Sequence, residues 1–310
     1  MKTQISPPDF TSRPRHRVML RFPMAWLSVL LVLASDLSGA DTTISSLGKY
    51  TYTANAGWIN FRHEKPTASS GVVFGDYFLS GYAYAANFGW IDLGDGSPSN
   101  GIRYQNNSSS DFGVNNDGIG NLSGYAYSAN VGWINFGWST ITDSKRPRVD
   151  LTTGGFAGYA YGANIGWINL ATGLITESMA CVDSDGDSIS DQWEQENFGN
   201  LTTADATSDV DGDSRTDVEE YAANTVPTDD SSFLSFTLIS IDSSLEEVTY
   251  QITHGPGRFL EVETTTDLVL WESLADFAPT TVAGTISDNN AVTKSSSRFF
   301  RVAATKPLQP

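Results

Sequence analysis

Cysteine is almost absent from this chain of 310 residues, and histidine is scarce. The single cysteine, Cys181, excludes an internal disulfide. It reads as a small buried residue beside an acidic segment, with an intermolecular bridge as the alternative. His63 and His254 are the histidines beyond the N-terminal leader, and neither lies in a metal or nucleophile motif. No Gly-x-Ser-x-Gly, phosphate loop or zinc spacing occurs, so nothing in the sequence points to catalysis. The abundant carboxylates could in principle supply a glycosidase pair, but the most regular of them have another assignment. Beyond residue 40 no apolar run is long enough for a membrane helix, and no lipidation motif stands out.

Positive charge is also scarce: 18 basic residues face 36 acidic ones. Several of the basic residues belong to an expected export signal. Arg13, Arg15, Arg17 and Arg21 precede the apolar run from Met24 to Ala34, and Ser38-Gly-Ala40 suits a cleavage site. That run is too short to span a bilayer. Met19 is an alternative start that would leave the same mature chain. Removing residues 1–40 gives a net charge of −21, of which −14 lies between Asp183 and Asp230. Such a field repels nucleic acid and anionic membranes and attracts cations. The expected location is secreted or on the exterior of the cell envelope, with no integral membrane segment.

What is abundant is repetition. Tyr50-Thr-Tyr52-Thr-Ala54-Asn55-Ala-Gly57-Trp58-Ile59-Asn60-Phe61 recurs as Tyr82 to Leu93, Tyr125 to Phe136 and Tyr159 to Leu170. The tryptophans Trp58, Trp90, Trp133 and Trp167 are 32, 43 and 34 residues apart, a repeat-architecture signal. Tyr-x-Tyr alternation predicts a strand with two different faces, and Ala-Asn predicts a turn in which Asn takes left-handed geometry. The Gly before each Trp marks a bulge or a close backbone approach. Upstream segments Gly71–Phe74, Phe112–Val114 and Arg148–Leu151 supply a third strand, giving three-stranded units that bury their faces by stacking or by closing in a ring. Large aromatics dominate core burial, so the Tyr and Trp positions predict a core ladder, with a row of sugar-stacking platforms as the alternative. Asn55, Asn87, Asn130 and Asn164 read as turn or ladder residues. The word resembles Gly-Tyr-Ala…Gly-Trp-Ile repeats of exported bacterial proteins, a likeness that implies secretion and no activity.

Two acidic loops, 26 residues apart, carry the chemistry. Asp183, Asp185, Asp187, Asp191 and Glu194 stand at loop positions 1, 3, 5, 9 and 12, and Asp209, Asp211, Asp213, Asp217 and Glu220 repeat them. Calcium takes six to eight hard oxygens at about 2.3–2.6 Å, and this spacing supplies them, with the carbonyls of Ile189 and Arg215 at position 7. Asp191 and Asp217 would bind directly or through water, and Glu194 and Glu220 bidentately. The other reading is an acidic, solvated, Ser-rich linker. Each loop runs into a short helix, Asp191 to Phe198 and Asp217 to Ala223, whose Trp193, Phe198, Val218 and Tyr221 can share a small core. The pattern resembles the EF-hand-like loops of thrombospondin type 3 repeats and dockerins. It continues through Glu219 to Asp229, which resembles the tail common after such loops in exported bacterial proteins. Ser188 and Ser214 depart from the family's glycine at position 6, and a side chain there implies strain and lower affinity.

Residues 232–305 change character again. Phe233–Ile241, Glu247–His254, Arg258–Thr264, Val269–Leu274, Thr280–Ile286 and Arg298–Val302 predict short strands, spaced as in a β-sandwich. The stretch Arg258 to Trp271, with Arg298-Phe-Phe-Arg-Val302, resembles a C-terminal sandwich of exported bacterial proteins. Trp271 reads as core.

The expectation is therefore a mainly β protein in four segments. Residues 1–40 are the signal, 41–178 the aromatic β-repeat domain, 179–231 the short-helical paired calcium loops, and 232–310 the β-sandwich. The function expected is a non-catalytic, calcium-binding structural or adhesive protein, in which calcium stiffens a hinge between two β-domains. The alternative is an extracellular carbohydrate-binding protein. Partners would be calcium ions, with polysaccharide or another cell-surface protein as candidates, and no nucleic acid.

Overall fold

Alternation decides the N-terminal architecture. In a strand successive side chains point to opposite faces, and in Tyr50-Thr-Tyr-Thr53 the tyrosines are exposed and the threonines buried. In a computed structural model the chain is described over residues 42–62, 71–242, 247–277, 283–288 and 298–309. The expected leader, residues 1–40, and His63 lie outside the described residues. The described residues fall in one compact unit.

The repeated word forms four hairpins. They are β1 (Tyr50–Thr53) with β2 (Gly57–Asn60), β4 (Leu79–Ala85) with β5 (Gly89–Asp92), β7 (Leu122–Ser128) with β8 (Gly132–Asn135), and β11 (Tyr159–Gly162) with β12 (Gly166–Asn169). The shorter strands β3 (Val72–Phe74), β6 (Val114–Asn116), β9 (Arg148–Val149) and β10 (Phe156–Ala157) lie between them. Successive hairpins pair through Ile59↔Ala85, Asp92↔Tyr127 and Tyr161↔Asn135, and β1 pairs with β12 through Thr53↔Ile168. The eight hairpin strands therefore close into an antiparallel barrel, which settles the choice between open stack and ring. Thr53 Oγ1 donates to the Ile165 carbonyl at 2.9 Å across the closing seam, and Thr51 Oγ1 donates to the Asn169 carbonyl.

The lumen is packed core. Ile59, Ile91, Ile134 and Ile168 come from the second strand of each hairpin, opposite small residues such as Thr51, Ala83, Ala126 and Ala160 from the first. Alternating small and large side chains fill an eight-stranded barrel. Phe88, Val131 and Ile165 close the turn end, while Phe61, Leu93, Phe136 and Leu170 join the same cluster from the other. The tyrosines and tryptophans lie on the outside, which corrects the expected core ladder. Trp58 is 56% exposed, Trp133 45% and Trp167 49%. The lumen is too narrow for them, and a strict two-residue period leaves each whole set on one face or the other.

The hairpin turns correct a second expectation. Thr53↔Gly57 pairing leaves a three-residue loop, and the left-handed residue is the following glycine: φ is +81° at Gly57, +89° at Gly89, +78° at Gly132 and +71° at Gly166. This is the three-residue hairpin with a glycine bulge. Asparagine instead latches neighbours. Asn87 Nδ2 donates to the Ala56 carbonyl (3.0 Å), Asn130 to Phe88 (2.8 Å), Asn164 to Val131 (3.0 Å) and Asn55 to Ile165 (3.3 Å). The four bonds run once around the rim. A Cβ on Gly166 would stand 3.0 Å from Asn55 Nδ2, the close approach expected of these glycines.

Third strands appear where expected in all three units: β3 on β4, β6 on β7, and β9 on β10, whose Phe156-Ala157 stands where Leu79-Ser80 and Leu122-Ser123 stand in the others. Gly81, Gly124 and Gly158, at φ +87°, +83° and +80°, occupy the same place in each unit, each with a backbone carbonyl within 2.4 Å of any Cβ.

Beyond the barrel come two short helices, α1 (Asp191–Asn197) and α2 (Asp217–Ala223), and then six strands. These strands are β13 (Ser235–Asp242), β14 (Glu247–Thr253), β15 (Phe259–Thr265), β16 (Glu272–Phe277), β17 (Ala283–Asp288) and β18 (Phe299–Thr305). They make two three-stranded antiparallel sheets, β13-β14-β17 and β16-β15-β18, that share a cluster of Ile252, Leu260, Val262 and Ile286. β16 starts later than expected because Asp267 Oδ1 accepts from the backbone of Val269 and Leu270 and holds a turn. Trp271 is partly exposed beneath the Arg301 guanidinium, 4.3 Å from its ring centre, and is not core.

The latch predicts a specific sensitivity. Gly166→Ala combines left-handed strain, about 1–2 kcal/mol, with displacement of Asn55. Gly137→Ala, where φ is not positive and a Cβ meets nothing nearer than 3.4 Å, is the control. Urea unfolding followed by tryptophan fluorescence should show a clear loss of stability for the first and almost none for the second. Equal effects would contradict the turn geometry.

Candidate metal centre

The two acidic loops precede the two helices, and local sequence explains why helices start there. Thr216 caps α2 in a reciprocal capping box with Glu219, which satisfies two otherwise orphan backbone donors. Ser190 caps α1 without a side-chain bond, and acids occupy the first turn of both helices, where the helix dipole favours them. Gly199 at φ +72° follows α1 and stops it, as expected. Trp193 packs edge-on against Phe198 (5.8 Å) and Tyr221 (5.5 Å). Ile189, Val218 and Ala204 complete this small core, together with Tyr77, Phe78 and Ile102 from the barrel's inserts.

Within each loop the structure brings together positions 1, 3 and 5. Ligand atoms of Asp183, Asp185 and Asp187 lie within 4.8 Å of one another, as do those of Asp209, Asp211 and Asp213. These two clusters of three aspartates could hold a metal ion. The loop backbone folds around position 1. Asp183 accepts from the backbone of Gly186 (2.7 Å) and Ser188 (3.1 Å), and Asp209 from Gly212 (2.8 Å) and Ser214 (3.0 Å). Ser188 and Ser214 adopt φ +79° and +74°, so position 6 is left-handed despite its side chain, at a cost of about 1–2 kcal/mol per residue.

Positions 9 and 12 differ. Asp191 accepts from Ser184 through both its backbone N–H (2.7 Å) and its hydroxyl (2.5 Å). Asp217 accepts from the Ser208 hydroxyl and the Val210 N–H. These two carboxylates staple helix to loop. Glu194 and Glu220 are 0% and 1% exposed. Both carboxylate oxygens of Glu194, one of Glu220, and one each of Asp187, Asp211 and Asp213 are buried without a hydrogen-bond partner. Glu220 Oε1 accepts from Thr225 Oγ1 at 3.1 Å. Burying an unpaired carboxylate is strongly unfavourable, so a cation is the partner this donor set fits. Of the position-7 residues, Ile189 is buried in the small core. Arg215 is exposed, its backbone donating to Asp213 Oδ1 at 2.6 Å.

Sequence reading missed a polar junction beside the loops. Lys306 Nζ contacts Asp76, donates to Tyr221 Oη at 2.7 Å and to Cys181 Sγ at 3.4 Å. Arg258 donates to the carbonyls of Tyr221 and Ala222, each at 3.0 Å, and Asn224 Nδ2 donates to Pro256 at 2.8 Å. Burial raises the Cys181 thiol and Tyr221 phenol and lowers Arg258. Barrel, loop segment and C-terminal sheets all contribute to this cluster. Its members are scattered from residue 76 to 306, so no local motif could reveal it. On the other side, Arg103 pairs with Glu196 at 2.5 Å and ties α1 to the barrel. No family model, curated protein or solved structure matches this chain.

The buried glutamates give a pH prediction. Burial first, and then the neighbouring loop aspartates, push Glu194 and Glu220 up to about 7. The folded, metal-free chain thus holds protons that the unfolded chain releases. That stabilisation is fully present below the ordinary glutamate value of about 4.3 and is lost as pH rises through about 7. With chelator, the protein should melt higher at pH 5 than at pH 8. Millimolar calcium at pH 8 should restore the loss. A chelated protein that is more stable at pH 8 would contradict this.

Proposed function

We propose that this is an exported, non-catalytic, calcium-binding structural or adhesive protein, whose paired loops join the barrel to a C-terminal β-sandwich. The observation that carries the reading is the pair of fully buried glutamates behind two aspartate triads, with three of their four carboxylate oxygens left without a hydrogen-bond partner. Calcium suits the all-oxygen, carboxylate-rich ligand set better than softer metals do. Asp183, Asp185, Asp187 and Glu194 would hold one ion; Asp209, Asp211, Asp213 and Glu220 the other. Asp191 and Asp217 would act in support, and the carbonyls of Ile189 and Arg215 would complete the sets. The resemblance to thrombospondin type 3 and dockerin loops adds to this reading.

The consequence is mechanical. Ligand Glu220 precedes Tyr221, whose hydroxyl and carbonyl lie in the junction with Lys306 and Arg258. Ligand Glu194 lies one residue from Trp193 and two from Glu196, which face the barrel inserts. Holding the two glutamates in place holds both joints. The expected hinge is in this reading a docked bridge.

Calorimetric titration with calcium should give a stoichiometry near two. Asp185→Ala with Asp211→Ala should abolish it. At about 100-fold saturation each site should add about 2.7 kcal/mol. No heat at millimolar calcium would reduce residues 183–230 to an acidic linker.

A further inference from the structure

We propose that the outer wall of the barrel binds an uncharged polysaccharide through its four Tyr–Tyr–Trp clusters. This goes beyond the calcium reading and does not depend on it. Each hairpin presents four outward side chains: two tyrosines, one tryptophan, and an Asn or Asp two residues later. Of these sixteen positions Asp92 alone is charged, in a chain whose net charge is −18. Charge has been kept off this band while acids crowd the loop segment, so its complement is neutral. In the first hairpin Trp58 packs edge-on to Tyr52 (5.0 Å) and Tyr50 (6.2 Å) and remains 56% exposed. The other three repeat the Tyr–Trp contacts, with Tyr84–Trp90, Tyr127–Trp133 and Tyr161–Trp167 at 4.8 to 4.9 Å; Trp90 is half-buried, and Phe112 and Trp138 add contacts to Trp133 (5.1 Å) and Trp167 (4.7 Å).

Edge-on neighbours hold each indole upright. An aromatic face held in place loses little freedom on binding. The apolar faces of pyranose rings stack on such surfaces, as bases do on aromatic platforms. Asn60, Asn135 and Asn169 each use Oδ1 to accept from the backbone two residues on, at 3.0, 2.7 and 3.0 Å. That leaves an amide NH₂ beside the indole as a donor for sugar hydroxyls. Chemistry repeated four times around one wall suits a repeating polymer, which several weak sites hold by avidity. A lipid bilayer fits poorly. The barrel strands run four to seven residues, below the roughly nine to eleven of a spanning strand.

The test uses the purified protein with chelator present, so that calcium plays no part. Retention on cellulose, chitin, xylan, β-glucan and mannan is compared with anionic alginate, neutral phosphatidylcholine vesicles and the protein alone in sedimentation. The proposal expects retention on at least one neutral glycan with a change in tryptophan fluorescence. Trp58→Ala should weaken it several-fold, and a variant also carrying Trp133→Ala and Trp167→Ala at least tenfold. Trp271→Ala, in the C-terminal sheets, should leave it unchanged. The variants' calcium-bound melts verify folding; if the triple variant unfolds, Trp58→Ala alone decides. No retention on any neutral glycan would overturn the proposal. So would retention indifferent to Trp58, binding to vesicles alone, or self-association that Trp58→Ala abolishes, which would assign the wall to a second copy.

Discussion

Two glutamates held out of water with three of their four carboxylate oxygens unpartnered constrain everything around the loop segment. Glu194 and Glu220 are buried by the same packing that gives the helices their core: Ile189, Trp193 and Tyr221 on one side, the barrel inserts on the other. A buried carboxylate must be protonated or must meet a cation. The state of these two carboxylates is tied to the junction of Asp76, Tyr221, Lys306 and Arg258, because Tyr221 follows Glu220 directly. That junction contains a buried ion pair. Such pairs are weak evidence for stability but are costly to break, by about 3–5 kcal/mol when one partner is removed. In a chain with no disulfide, the bridge between the β regions carries a buried ion pair made within the protein and two aspartate clusters that could each hold a metal ion.

The barrel obeys a different constraint, that of the closed ring. Eight short strands enclose a lumen with room for one isoleucine and small partners per hairpin. Once the lumen is filled, the period of two sends every Tyr-x-Tyr and Trp to the outer wall. The same closure explains the turn word: a left-handed glycine that makes the bulge, and an asparagine that reaches the next turn. One local sequence, used four times, thus sets the hairpin, the neighbour contact and the outer surface together.

Much of this was legible in the sequence. The hairpins, both helices and, apart from the start of β16, the described C-terminal strands follow from alternation, caps and turn residues, which are local. The aspartate triads were legible because loop geometry fixes their spacing. The side of the sheet on which the aromatics lie was not. Size alone argues for burial of Tyr and Trp, and only ring closure, a global property, reveals that Ala, Thr and Ile fill the inside. The sequence leaves the asparagines as turn or ladder residues, and only the fold decides for the ladder, because each acceptor belongs to another hairpin, 31 to 110 residues away. Size alone likewise places Trp271 in the core, yet it lies under Arg301. The role of Asp191 and Asp217 as staples could not be separated from ligation by spacing, since both require an acid at the same place.

Amide hydrogen exchange with and without calcium tests the bridge most directly. The account predicts that chelation strips protection from α1, α2 and the junction at residues 254–258, while the barrel hairpins keep theirs. Protection of those helices unchanged by calcium would contradict it.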